Sequence, residues 1–339
     1  MAMLVLILLI VIIYSLQCNL AVFTVDEHCL GRGNQGQVFK ARHKCIGSPC
    51  AIKIARNCED TWQEVDMMHK VVDLRGCARI QNAWAASKLE VLAAIPTFED
   101  DDNSECDSME DAEDDDNLEY EALEEVEDDD NSEYDGVEGV DDQVAPDYVV
   151  IQMVLYGDHG ATGDSSTLKE WVTATNRSRE DKLAMFHRIV ATVDKMHERC
   201  IVHRDLKPQN IVIHDNEPRI IDFGCAYEVD PKRNGSHGGI GTPGYWPPEQ
   251  QPGASGIHSP KGDIYSLGIC LLEICHPCTT CRELNDAVMN VKEQRKYPQT
   301  LGKFEGELIL SMTEQDPGMR PSAKDVRVKL ERHMLNPRS

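Results

Sequence analysis

Apolar residues open the chain in a nearly continuous block. Met1 to Leu16 is almost wholly apolar, unbroken from Leu4 to Ile13, and no Lys or Arg precedes Arg32. A bilayer-spanning helix wants about 20 apolar residues, and extending the run to Val22 takes in Ser15, Gln17, Cys18 and Asn19. Residues 1–22 therefore read as either a signal peptide or a membrane anchor, with no flanking charge to set its orientation. From near Phe23 the pattern becomes that of strands, and Gln37–Ala41 continues as an extended segment. Tyr148–Leu155 is a β-branched, apolar strand, followed by a Gly- and Ser-rich loop to Thr167. The period then changes. Leu168–Val172 opens a helix, and Asp181–Arg199 carries Leu183, Phe186, Ile189, Val190, Val193 and Met196 at helical spacing, which predicts a long buried helix.

Between the two groups of strands the apolar pattern disappears. Residues 99–140 hold three copies of a 14-residue unit beginning at Glu99, Glu113 and Glu127, each opening Glu-Asp-Asp-Asp-Asn. Such a density of like charge repels itself and offers little apolar surface to offset chain entropy, so disorder is the expectation. This insert also explains the composition. The formal net charge is −25, but 25 of the 59 acidic residues lie in 99–142, and the other 34 balance the 34 Lys and Arg of the chain. The body is neutral, and it shows no basic stripe of the kind that binds nucleic acid.

Thirteen Cys without a regular framework suit a reducing compartment better than a disulfide-stapled ectodomain. Cys270, Cys275, Cys278 and Cys281 lack a second CxxC pair at finger distance and read as ordinary thiols at the end of a helix.

The chemistry-bearing residues come in a fixed order. Gly31-Arg32-Gly33-Asn34-Gln35-Gly36-Gln37-Val38 is a GxGxxGxV loop, in which missing side chains let backbone amides approach phosphate oxygens and Val38 can pack on a base. A dinucleotide-binding loop would pass straight into a helix, whereas this one continues as a strand. Ala51-Ile52-Lys53 follows at hairpin distance and supplies a Lys for phosphates. Glu59 and Glu64 are the candidate carboxylates to orient that Lys. Glu64 is preferred because Met68, four residues on, can pack inward, whereas Glu59 has Gln63 there. In His203-Arg204-Asp205-Leu206-Lys207-Pro208-Gln209-Asn210, Asp205 can accept the proton of an attacking hydroxyl and Lys207 can neutralise a transferring phosphoryl. Asn210 and Asp222, the latter in Asp222-Phe223-Gly224, are hard oxygen ligands suited to Mg²⁺.

These motifs resemble the protein kinase superfamily over residues 23–335, and the Asp-Leu-Lys-Pro order resembles its serine/threonine members. The resemblance implies an α+β, two-lobed fold, with a small β-rich N-lobe and a larger helical C-lobe. It implies ATP and Mg²⁺ as cofactors, with Gly31, Gly33, Gly36, Val38, Ala51, Lys53, Met153, Asn210 and Asp222 around the nucleotide. Gly241-Thr242-Pro243 to Glu249 is similar to the end of an activation segment, Thr242 facing Asp205. Glu249 would pair with Arg320, and Asp263 would brace the catalytic loop. Arg204 implies a receiver for a phosphate on that segment, with Ser236 preferred over Thr242 as its site.

Four features are similar to the kinases of the translation initiation factor 2 α subunit: Asn82-Ala83-Trp84, Ile151-Gln152-Met153, the charged insert between the strands that carry them, and Pro248-Glu249-Gln250 with Gly262-Asp263-Ile264-Tyr265-Ser266-Leu267-Gly268. The segment Arg282–Tyr297 lacks the Thr often found in that family's docking helix. The apolar start is similar to the endoplasmic-reticulum-resident branch, without its large lumenal sensor. The expectations are a kinase of the initiation factor's α subunit, a kinase-domain homodimer, a cytosolic catalytic part and membrane attachment through residues 1–22. The alternatives for function are a serine/threonine kinase with another substrate, or a catalytically idle scaffold whose acidic insert binds basic partners; the alternative for location is cytoplasmic.

Overall fold

The computed structural model describes residues 19–33, 35–99, 146–156, 166–174, 177–229, 240–251, 254, 259–276, 278 and 280–336. The apolar run 1–18, the acidic repeats from 100 onward and Ser236 lie outside the described residues. Among the described residues no helix is long and apolar enough to cross a membrane.

The N-terminal lobe is a five-stranded antiparallel sheet in the order β1-β2-β3-β5-β4. Its strands are β1 (Phe23–Gly33), β2 (Gly36–His43), β3 (Pro49–Arg56), β4 (Ile80–Ala86) and β5 (Tyr148–Val154). Side chains alternate between two buried faces, which is why β3 is buried at six consecutive positions. Ile52, Ile54, Tyr148 and Val150 face a small core closed by Phe39, Val91, Ile95 and Phe98. Val149, Ile151 and Ile80 face the other way, toward helix α1 (Glu59–Val71) and the main core. Val38 pairs with Lys53 and Ala51 with Met153, so the register sets all four on the face turned toward the cleft.

Two features of this lobe differ from the sequence reading. Leu20 is buried in the small core, so packing begins ahead of Phe23, within the stretch 1–22 read as a leader. A short helix, α2 (Lys88–Ala94), precedes the acidic insert and covers the sheet. Its start is a capping box in which Ser87 and Glu90 satisfy each other's backbone N–H.

The C-terminal lobe is helical. After the two-residue β6 (Ser166–Thr167) come α3 (Leu168–Ala174) and α4 (Arg179–Glu198), and the six residues predicted to form the buried stripe of α4 are all buried. The hairpin β8 (Ile211–His214) and β9 (Glu217–Ile220), with the ribbon of β7 (Ile201–Val202) and β10 (Tyr227–Glu228), frames the loops 203–210 and 221–226. Helix α5 (Pro260–Cys275) is apolar nearly all round and runs through the middle, as a helix without a solvent face must. Three further helices, α6 (Cys281–Gln294), α7 (Lys303–Met312) and α8 (Ala323–Leu335), complete the lobe, α7 against α5 and α8 against α4. The Cys270 thiol is buried within 3.6 Å of the Leu206 carbonyl. Among the described residues no cluster of three His, Cys, Asp or Glu could hold a metal.

Candidate active site

Lys53 projects from β3 into the cleft, where its ammonium is 2.8 Å from both carboxylate oxygens of Glu64 and 3.4 Å from Oδ1 of Asp222. Glu64 reaches it because Val65, Met68 and Val71 of α1 are buried, fixing the inward face of the helix. Glu59 lies exposed at the start of that helix, where its charge favours the positive helix end instead. Burial works against the Lys53 charge, but Glu64 and Asp222 outweigh it and hold the ammonium above its usual pKa. Burial likewise opposes the Asp222 carboxylate, and Lys53, with His203 and Lys207, outweighs it, holding that carboxyl below its usual range. A cation between two carboxylates, one of them 39% exposed toward the cleft, can hand part of its charge to an incoming anion.

The loop 203–210 is assembled around Asp263, buried at the start of α5. Its carboxylate accepts the backbone N–H groups of His203 and Arg204 at 2.9 Å each, and the His197 ring lies 2.9 Å away. The His203 ring is buried against the Ile221 carbonyl at 3.1 Å. Asp205 is thereby fixed with Oδ1 accepting from the Thr242 N–H at 2.9 Å and Oδ2 accepting from the Asn210 amide at 2.8 Å. Lys207 lies 3.0 Å from Oδ2 of Asp205 and donates to the Thr242 hydroxyl at 2.5 Å. Asp205, Lys207 and Thr242 therefore meet at one point, the place where an acceptor hydroxyl can be held beside a carboxylate and a cation.

Asn210 also donates to the Asp205 carbonyl at 2.9 Å, so its amide nitrogen is committed and the carbonyl oxygen is the end left for a ligand. The Asn210 main-chain carbonyl accepts the N–H of Ile221 at 3.0 Å, which brings Asn210 beside Asp222. Asp222 takes a left-handed backbone (φ 60°), a conformation that Asp tolerates better than most residues. Two oxygen donors of this hardness fit Mg²⁺, which keeps most of its remaining shell as water and substrate phosphate.

The glycine loop closes over this cleft, with Gly33 opposite Gly36 at its turn. Gly36 has φ +118°, and a Cβ there would stand 2.4 Å from the Ile54 carbonyl, so the fold itself requires glycine. A Cβ at Gly31 would meet nothing within 4 Å. Among the described residues no packing contact requires that glycine, which leaves room for a ligand. Gln35, which the sequence reading gave no role, donates to the Cys225 sulfur at 3.3 Å and joins the loop to the Asp222-Phe223-Gly224 turn. Its partner lies 190 positions away, and no spacing rule links the two. Arg204 stacks on Tyr227 at 5.3 Å and donates to the Cys225 carbonyl, and one of its buried guanidinium nitrogens has no hydrogen-bond partner among the described residues.

The profile of the protein kinase domain matches residues 148–329. The chain belongs to the protein kinase family. Among its relatives, the rat interferon-induced, double-stranded RNA-activated protein kinase is 32% identical over 48% of this chain and 32% of its own length. The mouse eukaryotic translation initiation factor 2-alpha kinase 1 is 35% identical over 46% of this chain and 30% of its own length. The bovine eukaryotic translation initiation factor 2-alpha kinase 3 is 30% identical over 53% of this chain and 17% of its own length. The chain thus spans about a third or less of each of these kinases. Its resemblance to kinases of the initiation factor's α subunit rests on the catalytic part.

Proposed function

We propose that this chain is an ATP- and Mg²⁺-dependent serine/threonine protein kinase that phosphorylates the α subunit of translation initiation factor 2 and so restrains translation. The observation that carries the catalytic reading is the joining of Lys53 to both Glu64 and Asp222, at 2.8 and 3.4 Å, across the cleft between the lobes. Mg²⁺-ATP, when bound, supplies the transferable γ-phosphoryl group and the charge neutralisation around it.

The chain's residues do the rest. Gly31, Gly33 and Gly36 let the backbone approach the phosphates, and Val38, Ala51 and Met153 form the apolar face for the base. Lys53, oriented by Glu64, would bind the phosphates, while Asn210 and Asp222 would hold the metal. Asp205 orients the acceptor hydroxyl and takes its proton, and Lys207 offsets charge on the phosphoryl oxygens. Lys53, Asp205, Asn210 and Asp222 are all present and brought together, which weighs against an idle scaffold. The names of the relatives support the choice of substrate. The same reading carries a cytosolic catalytic part and a kinase-domain homodimer.

The test is to incubate the purified full chain with Mg²⁺-ATP and the initiation factor α subunit, beside a generic basic protein and an Asp222→Ala control. Phosphate on the α subunit that depends on Asp222 supports the proposal. Transfer to the basic protein alone would leave a kinase with a different target, and folded protein that neither binds nucleotide nor transfers phosphate would overturn the catalytic reading.

A further inference from the structure

Arg32, Gln37 and Glu99 form a network that phosphoryl transfer as described above does not use. Arg32 and Gln37 face each other across β1 and β2, next to the Gly33–Gly36 pair, so they are the last rung before the turn of the glycine loop. The Arg32 guanidinium is 2.9 Å from the Glu99 carboxylate and donates to the Gln37 side-chain carbonyl at 3.4 Å. The Gln37 amide in turn donates to the main-chain carbonyl of Glu99 at 2.8 Å. Gln37 occupies an inward position of β2, in phase with Phe39 and Ala41, and is 5% exposed. A polar amide buried there needs a partner, and Glu99 provides it.

Residue 99 is held in place from below. Phe98 is buried, packs edge-on against Tyr148 at 5.4 Å and lies tilted against Phe39 at 6.4 Å. Glu99 is therefore delivered to the glycine loop by the core of the lobe. The loop needs such a tie, because β1 has β2 as its one neighbour among the described residues and its register with β2 slips on both sides of Cys29. The Arg32 and Glu99 side chains are 45% and 72% exposed, and an ion pair that open adds little to the stability of a fold. Its place one residue from the turn makes loop position the property it controls.

We infer that Glu99 is a positioning residue for the glycine loop: by clamping Arg32 and Gln37 it sets the pose of the Gly33–Gly36 turn and hence the affinity for the phosphates of ATP. This rests on the kinase reading of the loop. Because Glu99 is also the first residue of the acidic repeats, their root is fastened to the nucleotide loop.

The test uses the full chain and reads Mg²⁺-ATP affinity by titration calorimetry, with KM for ATP and kcat on a basic protein substrate. Arg32→Glu sets two carboxylates against each other and is expected to weaken Kd and KM about three- to fivefold, the size an exposed pair converts to, with kcat unchanged. The swap Arg32→Glu with Glu99→Arg is expected to restore both. Gln37→Leu removes the buried amide without stranding it and gives a second route to a weakened Kd, should Arg32→Glu fold poorly. A swap as weak as Arg32→Glu alone, which would mean that the Arg32 charge itself attracts phosphate, overturns the inference. So does equal affinity in every variant. No binding of Mg²⁺-ATP by the unaltered chain would overturn the kinase reading and this inference with it.

Discussion

Glu249 and Arg320 form a two-pronged ion pair, with nitrogen to oxygen distances of 2.6 and 2.7 Å, that fastens the end of the segment 240–251 to the loop before α8. Arg320 is fully buried, stacks over Tyr265 at 4.9 Å, and spends its remaining donors on the carbonyls of Glu314, Lys261 and Gln315. Glu249 is its carboxylate partner. Glu249→Gln therefore leaves a buried guanidinium without its counter-charge, and unfolding in urea should show a loss of about 3–5 kcal/mol. A loss below about 1 kcal/mol would mean that solvent reaches the pair more freely than its burial implies. Arg320→Lys should also be costly, since an ammonium cannot match both oxygens.

Asp263 gives a pH-dependent counterpart. Burial alone would raise its pKa, but the hydrogen bonds and charge supplied by His197, His203 and the loop outweigh this and hold it below the usual range. A carboxyl depressed in the folded state stabilises fully above its unfolded pKa, near 3.9, and loses that contribution as the pH falls through the folded value. The unaltered chain should thus lose stability steeply below about pH 4. Asp263→Asn sets an amide N–H against a backbone N–H, so it should be less stable near pH 7 by about 2–5 kcal/mol, with a shallower acid limb. Urea midpoints measured from pH 7 down to pH 3 would decide it, and parallel curves would show that Asp263 does not drive acid unfolding.

Glu64 and Glu59 make a matched pair for activity. Glu64→Gln exchanges a charge-assisted contact with Lys53 for a neutral one, and removing about 1.5–3 kcal/mol of such bonding should lower kcat/KM about 10- to 100-fold. Glu59 is exposed and distant in role, so Glu59→Gln should leave kcat/KM within about twofold. Phosphate transfer to a basic protein, measured for both, separates them. Equal losses would place the functional carboxylate elsewhere on α1.

What could be read from the sequence was whatever is local. Asp205, Lys207 and Asn210 sit within six positions, and their mutual geometry follows from one tight loop, so spacing alone brings them together. A single helical neighbour, Met68, favours Glu64 over Glu59, and Met68 is buried. Distant pairs such as Glu249 with Arg320 or Asp263 with the 203–210 loop follow only from the family resemblance, and pairs outside the shared motifs leave no trace. The tie of Gln37 to Glu99 and that of Gln35 to Cys225 join loop positions with no periodicity between them. Leu20 was masked for a different reason: at the end of a long apolar run, one core residue looks like its neighbours. The capping box at Ser87 and Glu90 follows the Ser-x-x-Glu pattern, but its helix spans only Lys88–Ala94, too short for an apolar period to stand out.

The cysteines give a final prediction, in which the site reports on itself. Burial pushes the Cys225 thiol up to about 11, and the nearby carboxylates of Asp205 and Asp222 push in the same direction. Cys77 is buried and stands at about 12. A thiol near 11 is about one part in a thousand thiolate at pH 8, so iodoacetamide should label the exposed Cys45, Cys58 and Cys200 well before Cys225 or Cys77. Asp222→Ala removes one of the negative charges that disfavour the Cys225 thiolate, so it should speed labelling of Cys225 and leave Cys77 unchanged. Peptide mapping by mass spectrometry over a time course reads both sites in one sample. Faster labelling at both would mean that the substitution loosens the lobe, whereas a rise confined to Cys225 would show the Asp222 charge acting directly on its neighbour.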